Sequence, residues 1–298
     1  MYSIIGANGY LGAYIRKIIL EDTDEGIICV DKNIPEKENE KRIRWISCDI
    51  TDRPSVDNVL EELKKYNEVK IIYLAAYHNP DLVENNKQLA WNINVTSLSY
   101  FINNADFAKE IYYPSTDSVY GESDDFYHFR ESDPLNPVNT YGHNKCAAEA
   151  VLIHKGRNVV RFPFLISPSL AGKPHFYDRI VESLRNNEPF DMYEDSYRSS
   201  LSFENAARLM VMLIEKGNRH PIVNVCGDKD LSKYDVGLLI AQKEGLDSKL
   251  IVPVRMGEIT VECFKTKRAT STLMDNTLLK QILDLEYVDI FERPTVKQ

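Results

Sequence analysis

The stretch from Tyr2 to Gly12 limits the fold more than any other. Tyr2-Ser3-Ile4-Ile5 is a short apolar run and Gly6-Ala7-Asn8-Gly9 a glycine turn. Leu11, Ile15, Ile18 and Ile19 then recur at helical spacing. This predicts strand, tight turn, helix. Gly6 allows the sharp turn, Gly9 lets a ligand's phosphates approach bare backbone, and Gly12 lets the helix lie close to the strand. The helix N-terminus then offers free N–H groups and positive dipole to an anion. The G-x-x-G-x-x-G spacing is one residue wider than the common dinucleotide turn. The next apolar run, Gly26-Ile27-Ile28-Cys29-Val30, ends in Asp31. Roughly 20 residues past the turn, a carboxylate can accept from both ribose hydroxyls of an adenosine. Asp31 would repel a 2′-phosphate, so NAD is expected over NADP. Lys32 softens that preference and leaves NADP possible.

A chain of 298 residues with 43% hydrophobic content can bury one large α/β domain, or one domain with an appended lobe. The formal charge is −9 and no basic block occurs. That argues against nucleic acid or an anionic membrane as partner. No apolar run approaches the ~18 residues of a membrane-spanning helix. The chain enters its first strand at once, leaving no room for a signal peptide. Cys29, Cys48, Cys146, Cys226 and Cys263 show no metal or disulfide framework, which fits a reducing cytoplasm. The histidines His78, His128, His143, His154, His175 and His220 show no metal spacing either.

Further strands are expected at Ile43–Cys48, Val69–Ala76, Glu110–Pro114 and Asn158–Phe162, with helices over Arg53–Tyr66, Asn86–Ala105 and from Tyr141 onward. Asp52 is a helix cap, while Asp49 and the Ile50 amide are placed to meet an adenine. Alternation of strand and helix predicts a Rossmann-type, doubly wound parallel α/β sheet over 1–165, with 199–228 returning to it. Residues 166–198 and 229–298 are expected to form a small mixed α/β lobe.

Strand Glu110–Pro114 delivers Ser115-Thr116-Asp117-Ser118 to its C-terminal end, where open α/β sheets place their chemistry. Tyr141 and Lys145, four apart, share a helical face. A lysine ammonium one turn away would lower the phenol's pKa and fit Tyr141 for proton transfer, with Thr116 hydrogen-bonding the substrate oxygen.

Gly6, Gly9, Gly12, Asp31, Leu74-Ala75-Ala76, Asn94-Val95, Ser115-Thr116-Asp117, Val119-Tyr120-Gly121 and Tyr141-x-x-x-Lys145 together resemble the extended short-chain dehydrogenase/reductase family. These are NAD-dependent nucleotide-sugar epimerases, dehydratases and reductases. The resemblance covers about two thirds of the chain and implies a nucleotide-sugar substrate with Thr116, Tyr141 and Lys145 as catalytic residues. It implies cofactor contacts from Asn8, Tyr10 and Leu11 in the turn, and from Pro114, Ser115 and Phe162 at the strand ends. Asn94 is expected to support Lys145 through a kink in its helix or a water. The resemblance also implies a homodimer built on the Tyr141 helix and the helix before it.

Within that family, Ser118 stands where dehydratases carry a Glu, and the tail around Arg268-Ala269-Thr270-Ser271-Thr272 is similar to dTDP-4-dehydrorhamnose reductases. The expected activity is reduction of a 4-keto sugar. A 4-epimerase with retained NAD and a non-catalytic regulatory subunit are the alternatives. Arg198 and Arg268 are candidate diphosphate ligands. Asp117, Ser118 and His78 are expected beside the substrate.

Overall fold

The computed structural model describes residues 1–35, 40–123, 126–256 and 266–297. The chain opens as β1 (Tyr2–Ile5), α1 (Tyr10–Asp22), β2 (Ile27–Asp31), β3 (Ile43–Ser47), α2 (Arg53–Leu63) and β4 (Lys70–Tyr73). Next come α3 (Pro80–Asn85), α4 (Lys87–Trp91), a π-helical turn over Asn92–Ser97 and α5 (Leu98–Asn103). β5 (Glu110–Thr116), α6 (Thr140–His154) and β6 (Asn158–Phe162) follow. Then come α7 (Phe176–Arg185), β7 (Phe190–Tyr193), β8 (Tyr197–Arg198), α8 (Phe203–Glu215), β9 (Ile222–Asn224) and β10 (Leu231–Ser232). The chain closes with α9 (Lys233–Glu244), β11 (Ile251–Val254), α10 (Thr277–Leu283), β12 (Leu285–Tyr287) and β13 (Thr295–Val296).

The expected doubly wound sheet is present, seven strands in the order β3-β2-β1-β4-β5-β6-β9. Every neighbouring pair runs parallel. Helices cover both faces, so strands such as β1 are buried along their whole length and read as continuous apolar runs. α1, α8 and α10 pack on one face and α2, α5 and α6 on the other. The strand order reverses between β1 and β4, which opens a crevice at their C-terminal ends. A separate apolar cluster joins α7, α9, β7 and β11 through Ile180, Met192, Ile240 and Ile251. β7 pairs with β11 and β8 with β10.

Three expectations change. The fourth strand ends at Tyr73 rather than Ala76, because the Leu74 and Ala75 amides both donate to Ile5 O, the last carbonyl of β1 (2.7 and 2.9 Å). The single helix over Asn86–Ala105 is replaced by α4, the π-helical turn and α5, with α3 standing before them. Asn79 caps α3 by accepting from the Asp81 and Leu82 amides. The tail does not stay in the lobe. Leu279, Leu283, Leu285 and Val288 join the α1–α8 core, because this apolar stripe completes the cover of the sheet.

Among the described residues no helix is long and apolar enough to cross a membrane. None of their His, Cys, Asp and Glu groups is arranged to hold a metal. Cys48, Cys146 and Cys226 are free thiols; Cys263 lies outside the described residues.

Candidate active site

The glycine turn is set by close contacts. Gly6 has φ +87°, and a Cβ there would lie 2.6 Å from Ala75 N; a Cβ on Gly12 would lie 2.6 Å from Ala7 O. Gly9 differs. It is the N-cap of α1 in extended conformation, and a Cβ on it would meet only Gly6 O, at 3.4 Å. The protein leaves space beside Gly9, as an anion approaching the α1 N-terminus requires. Tyr10 and Leu11 are half-buried and pack on the core.

At the end of β2, Asp31 accepts from the Asn8 amide (2.9 Å) and the Asn33 amide (3.1 Å), while the Asn8 side chain donates to Asn33 O. The carboxylate is thereby fixed beside the turn. Lys32 points away from Asp31, its Nζ 2.7 Å from Asp49 Oδ2. Hydrogen bonds from Lys32 and Thr51 hold the Asp49 carboxyl down at about 2. This corrects two expectations: Asp49 is engaged by Lys32 rather than open to an adenine, and Lys32 is drawn off the position where it would offset Asp31. Ile50 packs on the apolar core beneath. Asp52 caps α2, accepting from the Ser55 amide at 3.2 Å.

Tyr141 and Lys145 do share one face of α6. The helix starts at the sheet edge because Asn139 caps it, accepting from the Gly142 amide (2.9 Å). A Cβ on Gly142 would lie 2.8 Å from Ser118 O, so only glycine lets α6 begin against the turn that follows β5. Lys145 is buried, donates to Pro114 O (3.0 Å) and lies 4.4 Å over the Tyr113 ring. Burial brings the ammonium down to about 7, opposed by Glu149. Tyr141 is pushed up by burial and then by Asp117. The expected lowering of the phenol is therefore absent here, because Lys145 Nζ is turned to Pro114 and lies 5.9 Å from the Tyr141 ring centroid.

Asn94 lies in the π-helical turn. The π-helical turn aims its carboxamide at Tyr77, accepting from Tyr77 N (2.7 Å) and donating to Tyr77 O (3.0 Å). It pins the backbone after Ala76. Ser115 donates to the buried Glu149. Phe162 is enclosed in the apolar core with Leu201 and Phe203.

Thr116 ends β5 with its hydroxyl donating to Asp117 Oδ1 (2.9 Å) and 3.3 Å from Ser118 Oγ. Asp117 is buried, and its other oxygen meets Arg198 Nε (3.2 Å) and the Thr272 hydroxyl. Arg198 also donates to Tyr197 O, Thr270 O and Ala269 O. Those contacts use four of its five N–H groups. Arg198 thus clasps the 269–272 segment to Asp117 and does not present its fork to a diphosphate. Arg268 pairs with Asp81 at the start of α3 (3.0 Å). His78 is exposed beside the crevice, its pKa lowered by the surrounding protein and then by Lys145.

Sequence reasoning gave no specific role to Lys233 or His175. Lys233 follows the β8–β10 ladder, lies 4.8 Å over the Phe164 ring, and is lowered to about 7 by burial and by Arg198 and Arg268. Neither residue lies in a local pattern that marks it; their neighbours come from distant segments.

The chain and its fold match known proteins. The RmlD substrate binding domain family matches residues 2–290. The chain is 25% identical over 268 residues to methionine adenosyltransferase 2 subunit beta of Xenopus tropicalis, covering 84% of this chain and 74% of that protein. The crystal structure of a hypothetical dTDP-4-dehydrorhamnose reductase from Sulfolobus tokodaii is similar at TM-score 0.77 and 22% identity, over 97% of this chain and 96% of that one. A dTDP-4-dehydrorhamnose reductase from Bacillus anthracis, solved with NADP, is similar at TM-score 0.77 and 21% identity, over 94% and 92%. With a match over nearly its whole length, the chain belongs to the RmlD substrate binding domain family, in the extended short-chain dehydrogenase/reductase group.

Proposed function

We propose that the protein is an NAD-dependent oxidoreductase that reduces the 4-keto group of a nucleotide-sugar. The observation that carries this reading is Thr116 at the end of β5 with Tyr141 and Lys145 on one face of α6, Lys145 bonded to Pro114 O of that same strand. The name of the Bacillus anthracis relative supports the reductase reading, and its bound NADP supports a dinucleotide cofactor.

The turn fits a dinucleotide. Gly9 leaves backbone bare at the α1 N-terminus, Asp31 is fixed where ribose hydroxyls are read, and Ala75 and Ala76 line the β4 end. Asp31 with Lys32 drawn off favours NAD. A nicotinamide held in the crevice would supply the hydride. Tyr141 gives its proton to the sugar oxygen; a phenol held in the protonated state suits that role. Thr116 holds the same oxygen. Lys145, anchored on Pro114 O, offers its remaining N–H groups toward the crevice and supports the tyrosine as it loses its proton. The sugar nucleotide lies between the sheet and the lobe built on α7 and α9, with Ser118, Arg268 and Lys233 near it.

A regulatory-subunit reading is favoured by the likeness to methionine adenosyltransferase 2 subunit beta. The complete Thr116, Tyr141 and Lys145 set weighs toward catalysis. A cytoplasmic protein is consistent with the free thiols of the described residues. A homodimer through α4 to α6 would cover the exposed Leu89, Trp91 and Ile153.

The test is NADH oxidation, followed by absorbance, with a dTDP-4-keto-6-deoxy sugar as acceptor. Consumption of one NADH per keto group supports the reading. A protein that binds NADH but oxidises none with any 4-keto nucleotide-sugar contradicts it.

A further inference from the structure

Two histidines flank the mouth of the glycine turn and no step above uses them. His175, at the start of α7, meets the Tyr10 ring edge-on with centroids 4.5 Å apart, and Phe203 at 5.1 Å. Tyr10 is the residue after Gly9, so this imidazole stands at the N-terminus of α1. The segment before it is fastened there too. The Tyr10 hydroxyl donates to Pro174 O (2.8 Å), Tyr14 donates to Pro168 O (2.8 Å), and Lys173 Nζ lies 5.2 Å over the Tyr10 ring.

His78 comes from the opposite wall. It lies three residues past Ala75, the residue whose amide presses on Gly6, and directly after Tyr77, which Asn94 holds. His78 and His175 are within each other's electrostatic reach. Lys145 from α6 and Lys173 from the fastened segment also bear on His78, against a hydrogen bond with the Ala76 backbone. On His175 the other charges are Arg179 and Asp178 of α7. Asp178 is committed: its two oxygens accept from the His175 and Ser169 amides. The charged groups bearing on this space are thus mainly cationic, from α6, α7 and the segment before α7.

We propose that His78 and His175, with Lys173, form the second wall of the anion site at the glycine turn and grip the diphosphate of a dinucleotide, taking up a proton from solvent as they do. The inference rests on the dinucleotide reading above and adds its ligands and its proton linkage. In the free protein both imidazoles are neutral at pH 7. The surrounding protein and Lys145 lower His78 below its ordinary value, and burial brings His175 to about 4. A diphosphate between them favours the imidazolium form. The balance is one neutral imidazole plus one proton from buffer giving one imidazolium paired with the anion. Affinity then strengthens as pH falls.

The experiment is calorimetric titration of the full chain with NADH at pH 7, in buffers of different ionisation enthalpy. On the order of one proton taken up per NADH is expected, with affinity weakening up to about tenfold per pH unit between pH 6 and 8. His78→Asn and His175→Asn should each reduce the proton count and flatten the pH dependence. If His175→Asn fails to fold, the wild-type count and His78→Asn still decide. NADH binding with no proton uptake overturns the inference and leaves the oxidoreductase reading standing, as does uptake that persists in both variants. Uptake with UDP-glucose and none with NADH overturns it by assigning the wall to the sugar nucleotide. No NADH binding at all overturns both readings.

Discussion

Arg161 holds Glu149 through a two-pronged contact, Nε to Oε1 at 3.1 Å and Nη2 to Oε2 at 2.7 Å, with both side chains buried. The pair sits one helical turn beyond Lys145, and Glu149 also accepts from Ser115, the residue before Thr116. Arg161 reaches on to the Tyr120 hydroxyl (2.8 Å), which donates to Asn224 (2.7 Å). The strand end and the helix that carry the chemistry are thereby tied to one buried polar network. Removing one partner strands the other charge. Glu149→Ala should lower stability by about 3–5 kcal/mol. Replacing both with methionine should recover most of it. Urea unfolding of the three proteins checks this, and equal losses in single and double variants would refute it.

Gly6, Gly9 and Gly12 should respond differently to a methyl group. Gly6→Ala forces a Cβ against the Ala75 backbone at φ +87°, so a loss of at least about 1–3 kcal/mol is expected. Gly9→Ala should stay within about 0.5 kcal/mol of wild type. Its NADH affinity should nevertheless fall about tenfold or more, a loss of at least about 1.4 kcal/mol in binding. Thermal unfolding with a fluorescence titration separates the two effects.

The fixed Asp31 carboxylate should set the choice of dinucleotide. Asp31→Asn removes the charge and should shift the NADH-to-NADPH preference toward NADPH by on the order of tenfold, or about 1.4 kcal/mol. Lys32→Ala should change that ratio little, because its ammonium is 2.7 Å from Asp49. A ratio that moves with Lys32 and not with Asp31 would contradict the geometry.

Lys145 and Lys233 are both lowered to about 7 in the folded protein. Below that pH both states carry the proton and the folded state bears the full cost of burial. Above it the unfolded chain binds more protons, so stability should rise with pH between about 7 and 9. Lys145→Met should raise stability at pH 7 and make the profile flatter. Urea midpoints across that range give the answer, and a profile unchanged in the variant would refute the assignment.

Local patterns in the sequence made much of this legible. The β1–turn–α1 unit, Asp31 at the end of β2, the Asp52 cap and the shared face of Tyr141 and Lys145 all depend on residues near one another in the chain. What escaped depends on partners far away. Arg198 reads like a diphosphate ligand until Asp117 and the 269–270 carbonyls are seen to use its donors. Asn94's hold on the Tyr77 backbone depends on a π-helical turn that apolar spacing does not reveal. The tail reads as lobe because its apolar spacing cannot say which face of the sheet it covers. Gly142 carried a readable constraint, a glycine beside Tyr141, whose reason appears only with Ser118 packed against it.

The most direct test compares wild type with Tyr141→Phe, which removes one hydroxyl from α6 and leaves the glycine turn untouched. NADH affinity is measured by fluorescence, and NADH oxidation is followed with a 4-keto nucleotide-sugar. The account predicts affinity unchanged within about twofold, a difference of about 0.4 kcal/mol, and turnover lower by about 10²–10⁴-fold. Turnover equal to wild type in the variant would contradict it.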